Sequence, residues 1–215
     1  MSRNRFRLIV FDVDGTLTPV RSVWQHIHEQ LGTWEPWGVL HRHRFLEGSI
    51  DYATWCLLDA GAWSGFAEVE IRRIVERIPF HSGAEEALGA LHRTGLIIAT
   101  LSTGLTMMTD RVPYATLGMA NRLLFRDGRA TGEVQVEVAA GQKGPALQRL
   151  GQQLGVSPAE TVAVGDSHGD CPMFQACGLG IAVDPADEEV ARAATVVLTA
   201  DQLSRLPSIV AQGDR

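Results

Sequence analysis

The sequence lacks the features that mark membrane, nucleic-acid-binding and disulfide-stabilised proteins. Among its 215 residues, no apolar run approaches the roughly 18 residues of a membrane span. The formal net charge is −6 and no basic run exceeds two residues, which argues against nucleic acid as a partner. The basic N-terminus precedes only four apolar residues and then aspartate, unlike a signal peptide. The three cysteines, an odd number without metal-ligand spacing, fit reduced thiols, so we predict a cytoplasmic protein.

The composition is that of a globular protein with a substantial core. Apolar residues make up 45% of the chain and charged residues 20%, which is typical of globular chains. The tryptophans are unevenly distributed, because all five lie between residues 24 and 63. The apolar period in this region is helical. We therefore predict a cap of about four helices at residues 20–78, inserted into a core formed by residues 1–19 and 79–215.

The chemistry of the chain begins after its first apolar run, residues 8–11, which has the pattern of a buried parallel strand. Asp12 and Asp14 follow this strand, and Gly15 supplies a turn. In open α/β sheets, the carboxyl ends of the strands form the ligand crevice. Two close carboxylates repel each other unless a cation or a shared proton intervenes, so the pair predicts a hard divalent ion such as Mg²⁺. The alternative is a plain strand end with acidic turn residues.

Helix and strand signals alternate along the rest of the chain, as in a βαβ series. Ser82 and Glu85 have the spacing of a capping box at the start of a helix. A second buried strand, predicted at residues 96–101, precedes a helix that we expect to continue to residue 117. Asp127 and Gly128 predict a hairpin turn within residues 121–138.

Further polar residues follow the later strands of this predicted sheet. Ser102 and Thr103 come after the second strand, Lys143 opens a predicted helix at 143–154, and Asp166 and Asp170 follow a strand at 161–164. Because the carboxyl ends of parallel strands share one edge, these groups can converge on the first aspartate pair. Carboxylates, a lysine, a hydroxyl and the backbone amides of a glycine turn around one metal ion are suited to phosphoryl transfer.

Four segments together resemble the signature motifs of the haloacid dehalogenase superfamily of phosphohydrolases, in the same order. They are DVDGTLT from residue 12, LST with its serine at 102, Lys143, and GDSHGD at 165–170. The helical insert lies where the phosphoserine phosphatase-like branch carries its cap. The resemblance implies an α/β fold, with a Rossmann-like parallel sheet and a helical-bundle cap inserted after the first strand.

The resemblance also implies a role for each motif residue. Asp12 is then the nucleophile that forms an aspartyl-phosphate. Asp14 is the acid and base, and its backbone carbonyl binds Mg²⁺. Ser102 and Lys143, with the turn at Gly15, bind phosphate. The expected metal ligands are Asp12, Asp14, Asp166 and Asp170. Thr103 gives the phosphate a second contact or caps the following helix.

Two departures from phosphoserine phosphatases concern the substrate. Those enzymes carry a glutamate for the substrate ammonium nine residues after the nucleophile, where this chain has Arg21, which favours an anion. They also carry a cap arginine for the substrate carboxylate, yet no arginine occurs between Arg44 and Arg72. The tryptophans either suggest an apolar, aromatic or sugar-like leaving group, with Trp24 as the best candidate contact, or fill the core of a small helical bundle. His168 is either a further substrate contact or a surface loop residue.

We therefore expect a Mg²⁺-dependent phosphomonoesterase that acts on a small phosphate ester, with a substrate other than phosphoserine. A genuine phosphoserine phosphatase and a catalytically idle binding protein of the same fold are the alternatives. Phosphotransfer to an acceptor other than water stays open. The expected assembly is a monomer or a homodimer, with no nucleic acid and no membrane as partner.

Overall fold

The structure, a computed structural model, describes residues 5–213. Its centre is a sheet of seven strands: β1 (Leu8–Phe11), β2 (Ile97–Leu105), β3 (Ala115–Arg126), β4 (Arg129–Gln135), β5 (Thr161–Gly165), β6 (Leu179–Val183) and β7 (Val196–Leu198). Their order is β4-β3-β2-β1-β5-β6-β7. Neighbouring strands are parallel except for the antiparallel pair β3 and β4 at one edge.

The helices of the described residues lie between β1 and β2 and around the sheet. They are α1 (Val23–Gln30), α2 (Val39–Leu46), α3 (Tyr52–Ala62), α4 (Glu68–Glu76), α5 (Ala84–Arg93), α6 (Thr106–Thr109), α7 (Lys143–Leu154), α8 (Cys171–Gln175), α9 (Glu188–Ala193) and α10 (Leu206–Gln212). Trp34–Gly38 forms an irregular turn in which Glu35 is extended (φ −105°, ψ 129°), and Pro158–Glu160 and Ala200–Arg205 form 3₁₀ turns. In residues 5–213, none of these helices is long and apolar enough to cross a membrane.

The central strand β1 divides the core because its side chains alternate between the two faces of the sheet. Ile9 and Phe11 belong to one buried cluster, which also holds the apolar residues of α5 and α10. Leu8 and Val10 belong to the other, which holds those of α7, α8 and α9. All four β1 side chains are buried, so β1 and the residues that follow it are firmly positioned.

Helices α1 to α4 follow β1 and form the predicted helical cap, so the prediction of a Rossmann-like sheet with a cap is confirmed. The bounds at residues 20 and 78 stay a prediction. The hairpin predicted around Asp127 and Gly128 is also confirmed, and both residues have the positive φ of a type I′ turn, 52° and 73°. Backbone hydrogen bonds between Ala130 and both Gly65 and Phe66 join this hairpin to the loop after α3.

Three local predictions are wrong. The helix after residue 82 has no Ser82 cap, because Gly83 precedes α5 with a φ of 79° and no side-chain cap bond is formed. The helix predicted to reach residue 117 ends at Thr109. Pro113 has no amide hydrogen to continue a helix, and the chain enters β3 two residues later at Ala115. Strand β2 in turn continues through Ser102 to Leu105 and does not end at residue 101.

Candidate active site

Side chains from two strand ends and one helix meet at the carboxyl edge of the sheet. Asp12 follows β1, Asp166 and Asp170 follow β5, and Lys143 is the first residue of α7. The Lys143 ammonium donates to one oxygen of Asp12 and to one of Asp170, both at 2.7 Å. All four side chains are buried. The lysine therefore bridges two carboxylates that would otherwise repel each other.

Three of these carboxylates fit a metal ion. Oxygens of Asp12, Asp166 and Asp170 all lie within 4.8 Å of one another. Carboxylate oxygens are the donors that Mg²⁺ prefers. Gly15 makes room for this cluster, because a Cβ at its position would lie 2.5 Å from Asp166 Oδ2, and its φ is 85°. The donor set therefore fits a hard divalent cation, while the predicted contribution of the Asp14 carbonyl stays a prediction.

Burial and the close spacing of these charges shift the pKa values of the groups. Burial raises the pKa of Asp166 to about 8, and the charges of Asp12 and Asp170 add to the increase. Burial also raises the pKa of Asp12 to about 6, although Lys143 opposes the shift. For Lys143 itself, burial disfavours the charge, but Asp12 and Asp170 outweigh it and raise the pKa. A bound cation would stabilise all three carboxylates in the ionised form.

Asp14 lies apart from the cluster and has the properties of a proton-transfer group. Its Oδ2 accepts a hydrogen bond from the amide of Val23 at 2.8 Å. Its buried Oδ1 has no hydrogen-bond partner among the described residues. Burial, opposed by the Val23 amide, raises the pKa of Asp14 to about 7. A group with a pKa close to neutral is suited to give up and take back a proton at physiological pH.

Ser102 is placed beside Asp14 by a glycine. The Ser102 hydroxyl accepts a hydrogen bond from the amide of Gly104 at 2.9 Å, which leaves its own proton free for an anion. A Cβ at Gly104 would lie 2.7 Å from Asp14 Oδ2 and 3.0 Å from Ser102 Oγ. The absence of a side chain at this position therefore lets β2 approach Asp14.

The carbonyl oxygen of Thr103 accepts three hydrogen bonds from different parts of the chain. Its donors are Trp24 Nε1 at 3.1 Å and the Tyr52 hydroxyl at 2.7 Å, both from the cap, and Asn121 Nδ2 from β3 at 2.8 Å. The carbonyl next to Ser102 is thus fixed by cap and core together. The interpretation of Thr103 as a helix cap is wrong, because Leu105 precedes α6 and no side-chain cap bond is formed. Its phosphate contact stays a prediction.

Asn121 joins the segments that carry the serine and the lysine. Its Oδ1 accepts from the amides of Glu137 and Val138, at 2.9 and 3.0 Å, on the segment leading to Lys143, while its Nδ2 binds Thr103. The residue is fully buried. Sequence reasoning gave it no chemical role. The available signal was an asparagine within a segment predicted to form a strand, because asparagine is uncommon in strands.

Two predicted substrate residues form ion pairs with carboxylates of this chain. Arg21 pairs with Asp166 at 2.8 Å and donates to the carbonyl of Asp184 at 3.0 Å, so its charge is already balanced by a carboxylate of the metal cluster. His168 pairs with Asp187 at 2.7 Å and is largely exposed. Substrate contact by either residue stays a prediction.

Trp24 lies at the cap side of the site. It lines a cavity of about 100 Å³ between α1, α3 and the end of β2. The other lining residues are Ser22, Tyr52, Trp55, Cys56, Asp59 and Thr103. Two of the lining residues are chain neighbours of residues around Asp14, since Ser22 precedes Val23 and Thr103 follows Ser102.

Comparison with known proteins agrees with this geometry. Residues 9–175 match the family model of haloacid dehalogenase-like hydrolases. The chain is 32% identical to a phosphoserine phosphatase of Idiomarina loihiensis over 86% of each chain. It is 29% identical to that of Methanocaldococcus jannaschii over 82% of this chain and 84% of the relative.

A similar solved structure is described as a phospho-aspartyl intermediate analogue of phosphoserine phosphatase. Its TM-score is 0.75 at 26% identity, over 90% of this chain and 93% of the other. The chain therefore belongs to the haloacid dehalogenase-like hydrolase family, in its phosphoserine phosphatase-like branch, and is a phosphatase acting on phosphate monoesters.

Proposed function

We propose that this phosphatase is Mg²⁺-dependent and forms an aspartyl-phosphate on Asp12. The observation that carries the proposal is the contrast between two neighbouring aspartates. Asp12 is held by Lys143 within the carboxylate cluster, whereas Asp14 keeps one buried oxygen without a partner in residues 5–213 and a pKa of about 7. One carboxylate is thus suited to attack and the other to move a proton.

The proposed reaction has two steps. In the first, an oxygen of Asp12 attacks phosphorus while Asp14 donates its proton to the departing ester oxygen. In the second, Asp14 takes a proton from water, the water oxygen attacks phosphorus, and the bond to Asp12 breaks to release inorganic phosphate. Ser102, Lys143 and the turn at Gly15 would hold the phosphate oxygens.

Mg²⁺ would be held by Asp12, Asp166 and Asp170, with the carbonyl of Asp14, and when bound it supplies positive charge that offsets the carboxylates and the phosphate. We also retain a small phosphate ester as substrate, a cytoplasmic location and a monomer or homodimer as predictions.

The substrate we propose is a phosphate ester other than phosphoserine, although relatives carry that name. Support comes from the cap cavity, whose lining contains no lysine or arginine to bind a carboxylate. Arg21 replaces the glutamate expected in phosphoserine phosphatases, and its guanidinium faces Asp166.

The test is release of phosphate from p-nitrophenyl phosphate. We expect turnover with Mg²⁺, loss on chelation with EDTA and recovery when Mg²⁺ is restored. An idle binding protein would release no phosphate under any of these conditions. A panel of phosphorylated amino acids, sugars, nucleotides and polyols, with Arg21→Glu for comparison, tests the substrate. Phosphoserine as the best wild-type substrate would contradict our interpretation of the cap.

A further inference from the structure

The lining of the cap cavity includes neighbours of the residues around Asp14. Its lining begins at Ser22, adjacent to the Val23 amide that binds Asp14, and at Thr103, adjacent to Ser102. Asp14 donates the proton to the leaving oxygen in the proposed reaction. The part of the substrate beyond that oxygen therefore lies on the Asp14 side, next to this cavity.

Aromatic rings in fixed positions form the walls of the cavity. The polar edges of Trp24 and Tyr52 are both anchored on the Thr103 carbonyl. Trp24 also stacks on Trp63, with ring centroids 5.3 Å apart. The rings of Tyr52 and Trp55 lie 6.0 Å apart at 83°, so they form two walls at nearly a right angle. Aromatic faces arranged around a small space attract cations.

A buried carboxylate completes the lining. Asp59 is 3% exposed, and its Oδ1 lies 2.8 Å from His41 Nδ1. His28 Nε2 is 3.2 Å from the same oxygen, but its angle does not make a hydrogen bond. The remaining neighbour, Cys56, is a neutral thiol, because burial raises its pKa to about 12. Two histidines therefore flank Asp59, the one formally charged side chain among the lining residues. Because the lining contains no lysine or arginine, the cavity favours a cation over an anion.

We infer that the cap cavity binds a small ammonium group at the end of the leaving group, and that it excludes leaving groups with a carboxylate. This inference rests on the proposed function and narrows its substrate class. An engineered cavity of 150 Å³ holds benzene, with its six carbon atoms. A cavity of about 100 Å³ therefore takes roughly four heavy atoms, which is the size of an aminoalkyl group.

The decisive comparison uses esters of the same shape with and without charge. The probes are 2-aminoethyl phosphate, its N-trimethyl form, 3,3-dimethylbutyl phosphate as the neutral isostere of that form, and O-phosphoserine. We expect kcat/KM for the N-trimethyl ester to exceed that for its neutral isostere at least tenfold. We expect kcat/KM for 2-aminoethyl phosphate to exceed that for phosphoserine by a similar factor. Equal values for the isosteric pair, or a preference for phosphoserine, would overturn the inference.

Measuring how the two isosteric esters bind to the Asp12→Asn variant tests the cation site independently of the proposed reaction. Both isosteres carry the same phosphate, so titration calorimetry with this variant measures the contribution of the ammonium without turnover. Tighter binding of the N-trimethyl ester supports the cation site even if hydrolysis of p-nitrophenyl phosphate fails. Equal binding refutes the site even if that hydrolysis succeeds.

Substitutions of residues that line the cavity identify which of them cause the preference for the charged ester. Asp59→Asn and Trp55→Leu should each reduce the preference for the charged isostere at least fivefold, while hydrolysis of p-nitrophenyl phosphate changes less. Trp37→Leu is the matched control, because Trp37 is 52% exposed and lies outside the cavity lining. Thermal melts confirm that each variant folds. If Asp59→Asn does not fold, the Trp55→Leu variant and the wild-type isostere comparison still decide the question. An unchanged preference for the charged isostere in Trp55→Leu counts against a cation site in the cap cavity.

Discussion

The carboxyl edge of the sheet holds four buried charged side chains, whereas the neighbouring cap cavity has aromatic walls and a single carboxylate. At the edge, Lys143 bridges Asp12 and Asp170, and the charges depend on one another. In the cavity, hydrogen bonds to one backbone carbonyl fix the rings. On our proposals, the edge would bind the phosphate group, while the cavity would select what the phosphate is attached to.

The largest expected effect comes from removing the proposed nucleophile at the edge. Asp12→Asn should lower turnover of every phosphate ester by about 10⁴-fold or more, because no carboxylate oxygen remains to attack phosphorus. Phosphate release, measured beside a far-ultraviolet circular dichroism melt, checks that the fold persists. A rate close to wild type would show that Asp12 is not the nucleophile and that the edge does not carry the chemistry.

Asp14 sits between the two regions, so its loss should depend on the leaving group. Asp14→Asn should slow alkyl phosphates about 10³-fold, because the departing alkoxide needs a proton. It should lower kcat/KM for p-nitrophenyl phosphate only about tenfold, since nitrophenolate leaves without one. The measurement is the ratio of kcat/KM for the two esters, because kcat/KM reports on the first step and not on the second, in which Asp14 acts as the base for both esters. Equal losses on both esters would remove Asp14 from the role of general acid.

Asn121 contacts none of the reacting groups, but its substitution should lower both the stability and the turnover of the enzyme. Asn121→Ala leaves the Glu137 and Val138 amides without their acceptor and removes one donor from the Thr103 carbonyl. We expect about 2–4 kcal/mol of lost stability from these buried groups and a turnover decrease of about tenfold. Urea unfolding and initial rates measure the two effects. Asn121→Asp, which keeps the acceptor, should recover part of the stability.

The smallest expected effect is that of Tyr52→Phe. The variant keeps the aromatic wall and removes one of the three donors to Thr103, so stability should fall by about 1 kcal/mol and kcat by less than threefold. Denaturant unfolding and the isosteric ester pair check this expectation. A tenfold loss of kcat would mean that the cap controls the position of Ser102, and the separation between the two regions would fail.

Prediction from sequence succeeds where a local pattern has one structural outcome. The apolar run before Asp12 can hardly be exposed, and Asp-Gly between two alternating segments favours a type I′ hairpin. The helix at Lys143–Leu154 has the predicted bounds. Prediction fails at residues 102–117, where pairing of β2 with β3 extends the strand and Pro113 prevents a long helix. Tertiary pairing overrides local propensity there.

The partners of polar side chains are harder to predict than their positions. The pairing of Arg21 with Asp166 joins residues from opposite parts of the chain, and no local pattern announces it. Asn121 is similar, because its three backbone partners lie on two other segments. Such contacts depend on loop geometry across the sheet edge, so a single sequence places the residue types near the site but not the bonds they make.

The confinement of all five tryptophans to residues 24–63 has a spectroscopic consequence. Intrinsic tryptophan emission reports on the cap region alone, since the rest of the chain contributes only tyrosine and phenylalanine. Trp24 stacks on a second indole and donates to a carbonyl of β2, so its emission depends on the contact between the cap helices and the sheet. The protein thus carries an unlabelled optical probe that reports on its cap separately from the strands.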